Sequence, residues 1–96
     1  MVIEKKGLAI LGSTGSIGQQ TLDVVRSFPN NFKIIGLAAN NNITCLENQI
    51  EEFAPKLISF NPNSHNKNFS KHYGYSNTSM EDMVRDPDID IVIAAT

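Results

Sequence analysis

The stretch AILGSTGSIGQQTLDVV, residues 9–25, limits the possible folds of this chain more than any other segment. Its glycines, Gly12, Gly15 and Gly18, lie three residues apart, directly after an apolar run and directly before a run with helical periodicity. A glycine-rich turn between a buried strand and a helix is typical of the phosphate-binding unit of dinucleotide-binding domains. The context therefore predicts an α/β fold with a phosphate-binding turn.

Each glycine has its own physical reason in this interpretation. We expect Gly12 to let the strand turn sharply, and Gly15 to leave room for a diphosphate against the backbone. Gly18 lies on the apolar face of the following helix and would let that helix pack closely on the sheet. Because the first-turn N–H groups of a helix lack internal acceptors, they can donate to phosphate oxygens.

Hydroxyl side chains stand between the glycines. Thr14 and Ser16 would add donors to the same phosphate. Ser16 has an alternative interpretation, because Ser16 and Gln19 have the spacing of a capping box and Ser16 could cap the helix. The two roles are compatible, since the backbone N–H of Ser16 can serve a phosphate while its side chain caps.

Strand-like and helix-like segments alternate along the rest of the chain. Helices are predicted from Ser16, from the capping-box pair Thr44 and Glu47, and from Thr78 or Ser79. Strands are predicted at residues 8–11, 32–39, 56–60 and 90–95, and a further short helix at residues 67–73. This order predicts an α/β, Rossmann-type parallel sheet with strand order 3-2-1-4. Residues 1–96 would then form the N-terminal part of one dinucleotide-binding domain.

The end of the second predicted strand bears on the choice of nucleotide. Domains that prefer NAD usually carry Asp or Glu about 20 residues after the glycines, where the carboxylate holds the ribose hydroxyls. Here the region reads LAANNN, residues 37–42, without a carboxylate. Its absence removes an obstacle to NADP, and Asn40, Asn41 and Asn42 supply neutral donors. Alternatively, these asparagines make a polar turn and cap the next helix.

Composition excludes several other classes of protein. The formal net charge of -2 gives no basic excess for nucleic acid. One cysteine, Cys45, rules out an internal disulfide and fits a reducing compartment. No apolar run approaches the length of a membrane span, and the N-terminus does not have the pattern of a signal peptide. We therefore expect a cytoplasmic protein.

No other group of residues predicts a catalytic or metal site in this chain. His65 and His72 lack metal-ligand spacing and are interpreted as solvated surface residues. Cys45 stands at the start of a helix, where a lone half-buried thiol is the expected role. The acidic run from Glu81 to Asp90 is interpreted as solvated faces and loops.

Residues 10–44, ILGSTGSIGQQTLDVVRSFPNNFKIIGLAANNNIT, closely resemble the N-terminus of the 1-deoxy-D-xylulose 5-phosphate reductoisomerase family. The segment GSTGSIG followed by TLDVV, Thr21–Val25, is narrower than a generic dinucleotide motif. FAPKLISF and DPDIDIVIAA fit the third and fourth strands of the same domain more loosely. The resemblance implies cofactor contacts from Thr14, Gly15, Ser16, Ile17, Asn40, Asn41 and Asn42.

The resemblance also implies an activity for the complete protein. Members of that family use NADPH and a divalent metal, magnesium or manganese. They rearrange and reduce 1-deoxy-D-xylulose 5-phosphate to 2-C-methyl-D-erythritol 4-phosphate in non-mevalonate isoprenoid synthesis. A homodimer is implied, and the catalytic, metal and substrate residues of the family would lie beyond Thr96. We therefore expect this chain to be an inactive fragment by itself.

One departure from the family pattern concerns the asparagine turn. Many members have glycine, a basic residue and asparagine there, whereas this chain has Asn40, Asn41 and Asn42. The basic partner for a 2′-phosphate is missing at Asn41, although Asn42 matches.

Two alternatives remain from the sequence. One is another NADP enzyme with the same glycine spacing, of the aspartate-semialdehyde dehydrogenase type or a short-chain dehydrogenase, which would lack the TLDVV continuation. The other is a nucleotide-sensing module without catalysis.

Overall fold

A computed structural model describes residues 4–61 and 74–95 of the chain. These residues form a parallel sheet with the order β3-β2-β1-β4. The strands are β1 (Lys6–Leu11), β2 (Phe32–Ala38), β3 (Leu57–Ser59) and β4 (Ile91–Ala94), and the helices are α1 (Ser16–Ser27), α2 (Ile43–Phe53) and α3 (Met80–Val84). The predicted α/β fold and the strand order 3-2-1-4 are confirmed.

The first strand lies at the centre of the core and is buried on both faces. Leu8 and Ile10 pack in a cluster with apolar residues of α1 and α2, and Ala9 packs with Met83 of α3. The helices α1 and α2 therefore cover one face of the sheet and α3 covers the other. This arrangement explains why β1 reads as a continuous apolar run rather than an alternating one.

The spacing of Gly18, Leu22 and Val25, joined by Thr21 and Phe28, predicts one apolar face for α1, and the structure confirms that face except at its end. Gly18, Leu22 and Val25 are buried. Phe28 was expected on the same face, but its side chain is 53% exposed. The reason is that Phe28 is the C-cap, where non-helical backbone turns the chain away from the sheet just before Pro29.

The second helix begins differently from the prediction. Asn42 is the N-cap, and its side-chain oxygen accepts a hydrogen bond from the Cys45 N–H at 3.1 Å. The predicted cap at Thr44, paired with Glu47, is wrong because Thr44 already lies inside the first turn. The helix ends at Phe53, because the residue before a proline, here Ala54 before Pro55, disfavours right-handed helical backbone.

Ser79 caps the short helix α3, as predicted, by accepting from the Asp82 N–H at 3.1 Å. On α3, Met83 packs so closely on β2 that a Cβ at Gly36 would lie 2.7 Å from the methionine sulfur. The predicted helix at residues 67–73 lies outside the described residues. In residues 4–61 and 74–95, no helix is both long and apolar enough to span a membrane.

Candidate nucleotide-binding site

The glycine turn is anchored where β1 and β2 end. The N–H groups of Gly12 and Ser13 both donate to the Ala38 carbonyl, at 2.8 and 2.9 Å. Gly12 has a φ of 94°, in the left-handed region that favours glycine, which confirms the predicted sharp turn. The turn is therefore attached to the carboxyl edge of the sheet, where ligands bind in open α/β folds.

Gly18 is needed because α1 packs directly on this turn. A Cβ at Gly18 would lie 2.2 Å from the Gly12 carbonyl oxygen and 2.7 Å from the Ser13 Cα. Both neighbours are backbone atoms that cannot move aside locally. The predicted close packing of α1 is confirmed, with the glycine turn itself as the surface that it contacts.

Gly15 is different, because none of residues 4–61 and 74–95 fills the space beside it. Within these ranges, a Cβ there would meet only the Gly12 carbonyl oxygen, at an ordinary 3.5 Å. Its backbone is extended, with φ -78° and ψ 176°, which any residue can adopt. Neither packing nor backbone conformation requires glycine at this position, so the open space fits the predicted close approach of a diphosphate.

No side chain caps α1. Its N-cap is Gly15, so the proposed capping by Ser16 is wrong. The Gln19 side chain, which would complete the capping box, instead donates to the Thr14 carbonyl at 2.8 Å. In the part of the chain that the structure describes, the first-turn N–H groups therefore have no side-chain acceptor, and they are placed to bind an anion.

A buried glutamine holds the turn from the opposite helix. Gln49 of α2 is 5% exposed, and its Nε2 donates to the Ser13 carbonyl at 2.8 Å. Ser13 is fully buried, and neither its hydroxyl nor Gln49 Oε1 has a hydrogen-bond partner among the described residues. The sequence interpretation missed Gln49, although it lies three residues after Leu46 and so on the buried face of the helix.

A cavity of about 730 Å³ lies beside the turn at the carboxyl ends of β1, β2 and β3. Three of the predicted cofactor contacts, Thr14, Gly15 and Asn40, line it. The described residues that line the cavity are all uncharged. They are Gly12, Thr14, Gly15, Ala38, Ala39, Asn40, Ser59, Phe60, Asn61 and Met80. The apolar side chains among them suit a flat aromatic base.

The cavity residues that follow β3 were missed. Phe60 and Asn61 lie immediately after β3, which pairs with β2. The predicted strand order already places these residues beside the asparagine turn, because the carboxyl ends of parallel neighbours meet at one edge. That rule could have identified them.

The structure shows the capping role of the asparagine turn and places one of its residues at the cavity. Asn40 lines the cavity, and its carbonyl accepts from the Asn61 N–H at 3.2 Å. Asn41 Oδ1 accepts from Asn61 Nδ2 at 2.9 Å. Asn42 caps α2, as the alternative interpretation held. The other two predicted contacts, Ser16 and Ile17, lie in the exposed first turn of α1.

The ion pairs that the structure describes lie away from the cavity lining. Arg26 binds Glu52 through two hydrogen bonds, at 2.5 and 2.6 Å, and these lower the pKa of the Glu52 carboxyl. Elsewhere on the surface, hydrogen bonding from Lys56 lowers the pKa of Asp86. Lys56 also pairs with Asp88, so part of the acidic run is paired rather than simply solvated.

The remaining residues singled out from the sequence either make hydrogen bonds within the fold or lie outside the described residues. Cys45 is half-buried, and its sulfur accepts from Gln49 Nε2 at 3.6 Å. Asp90 Oδ2 accepts from the Gly7 N–H at 2.7 Å and so joins the ends of β1 and β4. His65 and His72 lie outside the described residues. Within the described ranges, no group of His, Cys, Asp and Glu could hold a metal ion.

Comparison with known proteins identifies relatives of this chain. A family model described as 1-deoxy-D-xylulose 5-phosphate reductoisomerase matches residues 8–96. The enzyme of that name from Shouchella clausii is 38% identical over 96 residues, which cover 94% of this chain and 25% of the relative. The one from Caldanaerobacter subterraneus subsp. tengcongensis is 60% identical over 53 residues, or 55% of this chain and 14% of the relative.

A solved structure shares both fold and sequence. The crystal structure of DOX-P reductoisomerase in complex with NADPH, fosmidomycin and magnesium matches with a TM-score of 0.81 and 30% identity. The match covers 95% of this chain and 24% of that chain. This chain therefore spans a quarter or less of the length of these relatives.

Proposed function

The chain belongs to the 1-deoxy-D-xylulose 5-phosphate reductoisomerase family, and we propose that it forms the part of the NADPH-binding domain that holds the adenosine and diphosphate of the cofactor. The observation that carries this proposal is the open space at Gly15, which lies at the uncapped start of α1 and lines the cavity. A Cβ would occupy that space, which none of the described side chains fills.

The described residues fit NADPH in three places. The first-turn N–H groups of α1 and the Thr14 hydroxyl would donate to the diphosphate. Phe60 and Met80 would flank the adenine, since both line the cavity. The turn at residues 40–42 would meet the ribose 2′-phosphate, because it lies at the end of β2 and presents no carboxylate. These contacts would orient the cofactor, whose nicotinamide supplies a hydride when NADPH is bound.

For the complete protein we propose rearrangement and reduction of 1-deoxy-D-xylulose 5-phosphate to 2-C-methyl-D-erythritol 4-phosphate. Family membership supports this activity, and it supports a divalent metal, magnesium or manganese, bound outside this chain. A cytoplasmic homodimer without nucleic-acid partners is the assembly that the family resemblance and the net charge of -2 favour. The contribution of the present chain is cofactor binding rather than catalysis.

The experiment is a nucleotide titration joined to an activity assay on the complete protein. We expect NADPH, followed by its fluorescence, to bind more tightly than NADH. We also expect loss of NADPH absorbance once 1-deoxy-D-xylulose 5-phosphate and magnesium are added. Equal or tighter binding of NADH would contradict the proposed preference. Binding without oxidation of NADPH would instead favour a nucleotide-sensing module.

A further inference from the structure

We propose that Asn61 is a positioning residue that gives the site its preference for the 2′-phosphate, by fixing the amide of Asn41. The inference rests on the proposed function, because it concerns the same cofactor. The turn at residues 40–42 carries no positive charge, so any preference for the 2′-phosphate must come from neutral donors of fixed orientation. No charged side chain is among the described residues that line the cavity.

An asparagine amide presents a donor and an acceptor side by side. Its NH2 group attracts a phosphate and its oxygen repels one, so a freely rotating amide discriminates poorly. Asn61 Nδ2 donates to Asn41 Oδ1 at 2.9 Å. Because the oxygen is held by Asn61, the NH2 group of Asn41 is left on the opposite side of the amide. The exposed Asn41 thereby becomes a donor of fixed orientation.

The neighbouring asparagine is arranged in the same way by a different partner. Asn42 Oδ1 accepts from the Cys45 N–H at 3.1 Å, at the start of α2. Two successive amides therefore have their oxygens engaged within the protein, and neither NH2 group donates to another described residue. Hydrogen bonds from neutral donors to a charged acceptor are stronger than those between neutral groups.

Asn61 is itself held firmly enough to position another residue. Its backbone N–H donates to the Asn40 carbonyl at 3.2 Å. The preceding residue, Phe60, is bound by both groups of the Asn77 amide, since its N–H donates to Oδ1 at 3.0 Å and its carbonyl accepts from Nδ2 at 2.9 Å. Asn61 is thus fixed against the turn on one side and against the segment before α3 on the other.

The test measures NADPH and NADH affinity of the complete protein in matched variants. Asn61→Leu keeps the size of the side chain but removes the donor to Asn41. We expect the Kd for NADPH to rise about tenfold while the Kd for NADH stays within about twofold, because only NADPH carries the 2′-phosphate. Asn61→Asp should weaken NADPH binding further, since it puts an acceptor and a negative charge beside Asn41. Asn48→Leu, an exposed asparagine on α2, is the control and should change neither Kd.

A second substitution that restores NADPH binding would distinguish a positioning role of Asn61 from a general structural role. A guanidinium needs no partner to present donors, so Asn41→Arg in the Asn61→Leu background should restore the preference for NADPH. The restored binding should also weaken more steeply with salt than that of the unaltered protein.

Two results would overturn the inference alone. In one, Asn61→Leu changes the affinities for NADPH and NADH by the same factor. In the other, it changes neither while the unaltered protein still prefers NADPH. Failure of the unaltered protein to prefer NADPH would overturn the proposed nucleotide preference as well, so the two failures are distinguishable.

Discussion

At the scale of single residues, two glycines of one motif have opposite reasons for being glycine. Gly15 borders open space, whereas a Cβ at Gly18 would collide with backbone 2.2 Å away. The same substitution should therefore separate ligand binding from folding. Gly15→Val should raise the Kd for NADPH more than about a hundredfold, because the branched side chain occupies the place of the diphosphate. It should cost about 1 kcal/mol of stability or less, since Gly15 provides no side-chain cap to lose.

Gly18→Val is the matched control for this prediction. We expect it to lower the free energy of unfolding by more than about 3 kcal/mol, because α1 must move off the glycine turn. Fluorescence titration gives the affinity and urea unfolding gives the stability of both variants. A folded Gly15→Val protein that binds NADPH with undiminished affinity would remove the phosphate-binding role of the turn.

At the scale of elements, α2 is coupled to the glycine turn through the hydrogen bond from Gln49 to the Ser13 carbonyl. Gln49→Glu would replace this donor with an oxygen of nearly the same size. We expect the variant to be less stable by about 3 kcal/mol at neutral pH, because it buries a charge facing a carbonyl. Burial and that carbonyl would raise the pKa of the introduced carboxyl above its unfolded value. The loss of stability should therefore be largest above the folded pKa and should shrink as the pH falls through it.

The control for Gln49→Glu is Asn48→Asp, the same amide-to-carboxylate change at an exposed position of α2. Its effect on stability should be small and should vary little with pH. Urea unfolding at several pH values measures both variants. A loss of stability in Gln49→Glu that stays constant down to acid pH would contradict a buried hydrogen bond at this position.

The helices α1 and α2 are also joined at their surface by Arg26 and Glu52. The hydrogen bonds from Arg26 lower the pKa of Glu52, so the pair stabilises the fold above the unfolded pKa of a glutamate. That contribution is lost as the pH falls through the depressed pKa. Both side chains are more than 40% exposed, so solvent screening limits the effect to about 1 kcal/mol or less. Glu52→Gln should therefore lower the urea midpoint at neutral pH, and this effect should shrink as the pH falls below the ordinary glutamate pKa of about 4.3; an effect that stays constant into that acid range would contradict the pairing.

At the scale of the whole molecule, the succession of strands and helices and the topology of the sheet could be predicted because both depend on local sequence patterns. Apolar runs identified the strands, and helical periodicity identified the helices. The geometry of βαβ units then gave the order of the strands in the sheet. The starts of the helices were predicted less accurately. The spacing around Ser16 and Thr44 fits a capping box, whereas the N-caps in the structure are Gly15 and Asn42. Local spacing does not distinguish between caps one or two residues apart.

The contacts that shape the candidate site could not be predicted in the same way. The bond from Gln49 to Ser13 joins residues 36 apart, and the bond from Asn61 to Asn41 joins residues 20 apart. Each needs the sheet to be assembled before its partners meet. The cofactor contacts of Thr14, Gly15, Ser16, Ile17, Asn40, Asn41 and Asn42 remain predictions that the titrations test.

The outer edge of the sheet leads to a last prediction, which concerns the 96-residue chain by itself. Among the described residues, β4 pairs only with β1, and Ile91 and Val92 are 40% and 42% exposed. An apolar strand with an open edge is a template for pairing with another chain. We therefore expect this chain to self-associate as its concentration rises, and we expect Val92→Lys to reduce that association because a charge on an edge strand disfavours pairing.

Val24 supplies the comparison that distinguishes an edge effect from general surface hydrophobicity. It lies on α1 and is 51% exposed, so Val24→Lys removes a similar apolar surface without touching a strand. Sedimentation at increasing concentration should show weaker association for Val92→Lys and unchanged association for Val24→Lys. Equal reductions in both variants would mean that association depends on total exposed apolar surface, since a helix surface offers no unpaired N–H and C=O groups for strand pairing.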